Sequence, residues 1–195
     1  MRVFEPWEGS KYRSGGLEGV RVLILGESHY GDVGTESAAC TIETVKDLGQ
    51  ERRNRFFTVT QKLVSGINPE EWVPDKTRVE FWESVAFYNY VQSFPGDKSR
   101  MRPTQEMWAN AATPLLKTLQ ELRPQVMVVL GLELQSHLPE IPSGIRVCNV
   151  PHPSSRGFQY ERWQPVVKTA ISAARNDTQP DAPADGSLAA LAAHR

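Results

Sequence analysis

A chain of 195 residues fits one domain of ordinary size with enough interior for a real core, and one domain is expected. With 22 Lys and Arg against 23 Asp and Glu the formal charge is -1, so no global field draws the protein to a polyanion and any affinity for nucleic acid has to come from a local patch. Cys40 and Cys148 are too far apart for a metal-ligand pair and too few for a disulfide framework. The apolar runs are strand length, and Glu5 and Glu8 stand where a secretion signal would be hydrophobic, so a cytoplasmic protein without membrane association is expected.

Residues 1–20 read as a leader rich in glycine, charge and aromatic groups, with Trp7 and Tyr12 available to pin it onto the domain. Val22-Leu23-Ile24-Leu25 is a continuous aliphatic run of the kind buried on both faces of an α/β sheet. It breaks at Gly26 into Glu27-Ser28-His29-Tyr30. Ligands of open parallel sheets sit beyond the carboxyl ends of the strands, so these four side chains are placed where chemistry is expected. From Gly31 to Glu51 polar residues dominate, and the stretch predicts a flap over that mouth with a helix around Thr41–Leu48. Phe56, Val59 and Leu63, with Phe57 on the flank, recur near helical spacing and predict a helix over Arg55–Val64. Asn68 followed by Pro69 has the form of a further helix start. Ser84–Tyr90, short and apolar, is a second strand that places Asn89 at its end.

Pro95–Pro103 is a basic, turn-forming loop carrying Lys98, Arg100 and Arg102. Thr104 then caps a long helix with Glu106 in its first turn and Met107, Ala111, Leu115, Leu119 and Leu122 on one stripe, ended by Arg123-Pro124. Gln125–Leu130 is the most hydrophobic strand, and Gly131 opens a short helix that ends before Pro139. Ile145–Val150 is the last strand, and it delivers Pro151-His152-Pro153-Ser154-Ser155. Glu161–Ala174 is a closing helix that tolerates Pro165 near its start. This alternation predicts an α/β fold, a three-layer α/β/α sandwich with a mainly parallel sheet of about four strands, over residues 21–175. Beyond Asn176 the composition falls to Asp, Pro, Thr, Ala and Gly, and 176–195 read as a disordered tail.

Gly-Glu-Ser-His-Tyr after the first strand, Asn89 after the second, Arg-Pro-Thr into the long helix, Leu-Arg-Pro-Gln-Val-Met-Val-Val-Leu-Gly and the late His-Pro-Ser-Ser together resemble the uracil-DNA glycosylase superfamily over about residues 21–172. The flavour is similar to the bacterial and archaeal branch whose first motif begins Gly-Glu. That branch carries an iron-sulfur cluster. Here Gln92-Ser93 stand where its Lys-Cys would fall, so no cluster is expected. His29 and Tyr30 replace that branch's Pro and Gly, and Tyr30 resembles the aromatic wall of the branch specialised for uracil.

The resemblance implies a monofunctional DNA glycosylase that needs no metal or cofactor, acts as a monomer on duplex or single-stranded DNA, and leaves an abasic site in base-excision repair or in defence against modified phage DNA. Uracil, hypoxanthine, a damaged pyrimidine and a bulky modified base all stay open as targets. Breaking the N-glycosidic bond leaves positive charge on the sugar and negative charge on the departing base, which calls for a carboxylate near the one and a donor near the other. Glu27 fits the first role and, by resemblance, His152 the second. The resemblance further implies base contacts from Asn89, Phe57, Tyr30, Ser28 and His29, with Phe56 as the weaker candidate for the stacking ring. Arg156 would be the wedge that fills the vacated stack, and Ser154, Ser155, Lys98, Arg100 and Arg102 would contact DNA. Two other classes compete with this. One is a catalytically silent domain that binds nucleic acid or a nucleobase. The other is an esterase with Ser28 as nucleophile and His152 as base, in which Asn149 occupies the place of the usual Asp.

Overall fold

The computed structural model describes residues 2–98 and 101–177. In chain order the elements are Trp7–Glu8 (β1), Val22–Gly26 (β2), Cys40–Thr44 (α1) running on as a π-helical stretch Val45–Glu51, Arg55–Ser65 (α2), Asp75–Ser84 (α3), Ala86–Asn89 (β3), Gln105–Leu122 (α4), Val126–Leu130 (β4), Leu132–Ser136 (α5), Arg146–Val150 (β5) and Tyr160–Asn176 (α6). The strands form one sheet in the order β1-β3-β2-β4-β5, in which β3, β2, β4 and β5 are parallel and β1 joins β3 antiparallel.

Helices cover both faces, and this is why the central strands are continuous apolar runs. Side chains alternate across a strand. Val22, Ile24, Phe87, Val126 and Val128 accordingly face α2, α3 and α6 through Phe57, Leu63, Trp82, Val167 and Ile171, while Leu23, Leu25, Tyr88, Met127 and Val129 face α4 and α5 through Trp108, Leu115, Leu119 and Leu134. The fold is the predicted α/β sandwich.

The sheet has five strands instead of about four, because the leader supplies one. Two residues carry no alternation to detect, and the strand is set by its partner: Trp7 pairs with Phe87, its indole N–H donates to the Trp82 carbonyl at 2.8 Å, and Gly9 N–H donates to Val85 O at 3.0 Å. Gln92 completes the anchoring by accepting the N–H groups of Val3 and Phe4 at 3.0 and 2.9 Å.

Other boundaries also moved. Asn68 starts no helix; its Oδ1 accepts the Glu70 N–H at 2.9 Å in a local turn, and the helix begins at Asp75 after Pro74. The helix expected over Thr41–Leu48 ends as α at Thr44 and widens into the π-helical stretch, which lays Gly49 against Phe57 and Trp82. Thr104 does cap α4, its Oγ1 accepting the Met107 N–H at 3.2 Å. The first two residues of the tail expected from 176 are ordered, since Asn176 closes α6 and Asp177 pairs with Arg146 at 2.7 Å; residues 178–195 lie outside the described residues. Among the described residues no helix is long and apolar enough to cross a membrane.

Candidate functional site

The pairing of β2 with β3 runs past the strand ends, where Tyr90 N–H donates to Gly26 O and Val91 N–H to Glu27 O, both at 2.9 Å. Glu27 is therefore held by its backbone at the mouth of the sheet. Its side chain is 12% exposed, and Arg102 Nη1 donates to Oε1 at 2.9 Å. The other terminal nitrogen of Arg102 pairs with Glu133 of α5. Burial raises the Glu27 carboxyl above its ordinary value, and Arg102 opposes that shift. Arg102, expected to meet DNA phosphates, is engaged by these two carboxylates while its side chain stays half-exposed.

His152 follows β5. Its Nδ1 accepts the Ser154 N–H at 3.1 Å, so the neutral ring carries its proton on Nε2. Desolvation and then the positive charge of Arg102 lower its pKa and favour that neutral form. The ring lies against Phe56, with centroids 5.2 Å apart and planes 32° from parallel. Phe57 is placed differently from its expected role as stacking ring: it is 5% exposed and packed between Trp82 and Phe87 in the core. Adjacent residues of a helix point about 100° apart, so only one of the two can face the mouth, and that one is Phe56.

Asn89 is buried at the end of β3, and its Oδ1 lies over the bare α-carbon of Gly26, where a methyl group would overlap it. By alternation it shares a sheet face with Phe87, whose ring meets Phe56 at 6.3 Å between centroids. Gly131, directly after β4 with φ 144°, adopts backbone that suits glycine and puts no side chain at the end of that central strand. Because β4 separates β2 from β5, Glu27 and His152 do not stand on adjoining strands. Glu27 is on the α4–α5 side with Arg102 and Glu133, His152 on the α2 side with Phe56, and the charge of Arg102 acts on both.

The remaining first-motif residues diverge. His29 does not line the mouth: it is 6% exposed, its Nε2 is 2.8 Å from Thr41 Oγ1, and the Phe4 ring meets it edge-on at 5.1 Å. Burial pushes its pKa down to about 4. Tyr30, 45% exposed, stands outside as a free aromatic face. Ser28 Oγ is buried without a hydrogen-bond partner. Ser155 N–H turns back to His152 O at 2.8 Å, Ser154, Arg156 and Lys98 are exposed, and Arg100 lies outside the described residues.

No protein-family model matches the chain, and no curated protein matches it by sequence. The site is read from its own chemistry. Sequence reasoning missed Glu133, which sits on an exposed helix turn like any solvated carboxylate, and it missed an open cleft of about 230 Å³ between Tyr90, Trp108 and His137, which no predicted site residue lines. Among the described residues no three His, Cys, Asp or Glu side chains gather as a metal site.

Proposed function

We propose that the protein is a DNA glycosylase that extrudes a nucleotide and hydrolyses its N-glycosidic bond with Glu27 and His152. The observation that carries this reading is that a sheltered carboxylate and a neutral histidine whose proton is on Nε2 flank the same carboxyl edge of the parallel sheet from its two sides, with the charge of Arg102 acting on both. Water oxygen bonds to C1′ of the sugar as the C1′–N bond breaks, and the bonding pair leaves on the base nitrogen. Ionised Glu27 faces the positive charge that builds on the sugar and takes the proton from the water, while His152 Nε2–H donates to the base oxygen where anionic charge collects. The departing base then takes up a proton from solvent. Phe56 supplies a face for the extruded ring, and Asn89 offers both a donor and an acceptor to its edge.

Serine-nucleophile chemistry has less support, since such a serine needs a base within hydrogen-bond reach and Ser28 Oγ has no partner. The test is to incubate the protein, in chelator, with oligonucleotides carrying uracil, hypoxanthine, oxidised pyrimidines or bulky modified pyrimidines, then to treat with alkali and look for scission. Scission at one of these bases is expected. Glu27→Gln and His152→Ala should each lower single-turnover rates a hundredfold or more, roughly the scale of a lost acid–base or oxyanion group, with unchanged melting. Scission only after added metal, or wild-type rates in either variant, would overturn the assignment.

A further inference from the structure

We infer that Arg102 is a positioning residue for Glu27, held in place by Glu133, so that α5 sets the orientation and ionisation of the carboxylate at the sheet mouth. This rests on the glycosylase reading for its activity assay, although the relay itself can be measured without it. Three observations support it. The first is geometry: one guanidinium donates at 2.9 Å to a carboxylate that is 12% exposed and pairs through its other arm with Glu133. The second is rigidity: Arg102 immediately precedes Pro103 and the Thr104 cap of α4, which ties the Arg102 backbone to a long helix, and Glu133 is in the first turn of α5 directly after β4. The two ends of the relay are thus anchored to secondary structure on one side of the mouth. The third is charge. The groups that act on Glu27 are Arg102, Glu133 and His137, and among them Arg102 alone pairs with it directly.

A planar fork that satisfies two carboxylates at once fixes a direction as well as a charge, and a lysine in its place keeps the charge and loses the direction. If Arg102 were a phosphate contact, its removal would change the salt dependence of binding and leave the ionisation of Glu27 alone. The two roles therefore separate in measurements that a merely structural contact would not move.

The experiment compares wild type with Arg102→Ala, Arg102→Lys, Glu133→Ala and the Arg102→Ala/Glu133→Ala double variant, reading the acid limb of single-turnover rate against pH and the midpoint of the Glu27 side-chain carboxyl by carbon-13 NMR. Removing the cation raises the carboxyl pKa, so in Arg102→Ala both the limb and the NMR midpoint should move up by about one pH unit or more. Arg102→Lys should keep the limb near wild type while its plateau rate falls about tenfold, consistent with charge retained and orientation lost. Glu133→Ala should lower the plateau rate when Arg102 is present and leave the plateau unchanged in the Arg102→Ala background, whereas its own charge on Glu27 moves only the acid limb and does so in both backgrounds. An unmoved limb and midpoint in Arg102→Ala, with only a shallower salt slope, would overturn the relay. So would a Glu133→Ala loss of plateau rate that persists without Arg102. If wild type releases no base from any oligonucleotide, the glycosylase reading fails, and the NMR midpoint still decides the relay.

Discussion

Phe57 fills the space between Trp82 and Phe87, so Phe57→Ala should cost about 3 to 5 kcal/mol of stability in urea unfolding. Phe56 is half-buried with one face on His152, so Phe56→Ala should cost less stability and instead weaken binding and cleavage of target-containing DNA. The reverse pattern would return the stacking role to Phe57. His29 carries a second prediction. Native His29 stays neutral down to about pH 4, whereas an unfolded histidine protonates near 6.5. Between those values the unfolded chain binds more protons, so stability rises with pH through this window and is lost as pH falls. The full contribution is about 3 kcal/mol. His29→Gln should flatten the stability difference between pH 4.5 and pH 7, and an unchanged slope would show that the ring is solvated in the native state. What was legible at these positions was residue type, not direction: Gly-Glu-Ser-His-Tyr announces a site, but which members turn outward depends on Phe4 and Thr41, which close over His29 from elsewhere in the chain.

At the scale of elements, β2 ends in glycine because β3 ends in Asn89. A methyl at Gly26 would overlap the Asn89 carboxamide and come within 3.1 Å of the Phe87 ring. Gly26→Ala should therefore push Asn89 aside and reduce base release at least tenfold while the sheet still forms, since the displaced group is the end of a side chain. In an Asn89→Ala background the same substitution should cost less stability, and an equal cost in both backgrounds would show that Asn89 is not what the glycine accommodates. The strand runs and the Thr104-capped helix were legible because each is a local pattern that its own residues satisfy. β1 was not, because a two-residue strand owes its existence to the edge of β3 and to Gln92 holding the chain before it. The π-helical stretch was likewise not legible, since its spacing answers to the rings of Phe57 and Trp82 beneath Gly49.

For the whole molecule, near-neutral net charge means that the proposed DNA binding would have to come from a few local cations. Arg156 and Lys98 are exposed, and among the described residues neither takes part in an ion pair. As a wedge, Arg156 would stabilise the extruded nucleotide in a stack, so Arg156→Ala should slow cleavage of duplex far more than of single strands. Equal losses on both would reject that role. Lys98→Ala, in contrast, should weaken binding to every sequence and reduce the magnitude of the salt slope by about one.

The amino-acid sequence by itself determined the α/β sandwich, the faces of its strands and helices, and the placing of Glu27, Asn89 and His152 at strand ends, because apolar periodicity and turn chemistry are properties of short segments read against water. Only the tertiary structure decided that Arg102 meets both Glu27 and Glu133, that Phe56 and not Phe57 faces His152, and that His29 is sealed under the leader. These outcomes depend on pairs of residues brought together from distant parts of the chain. A charged, aromatic or imidazole side chain has the same local signature whether its partner is water, a ligand or another element of the fold.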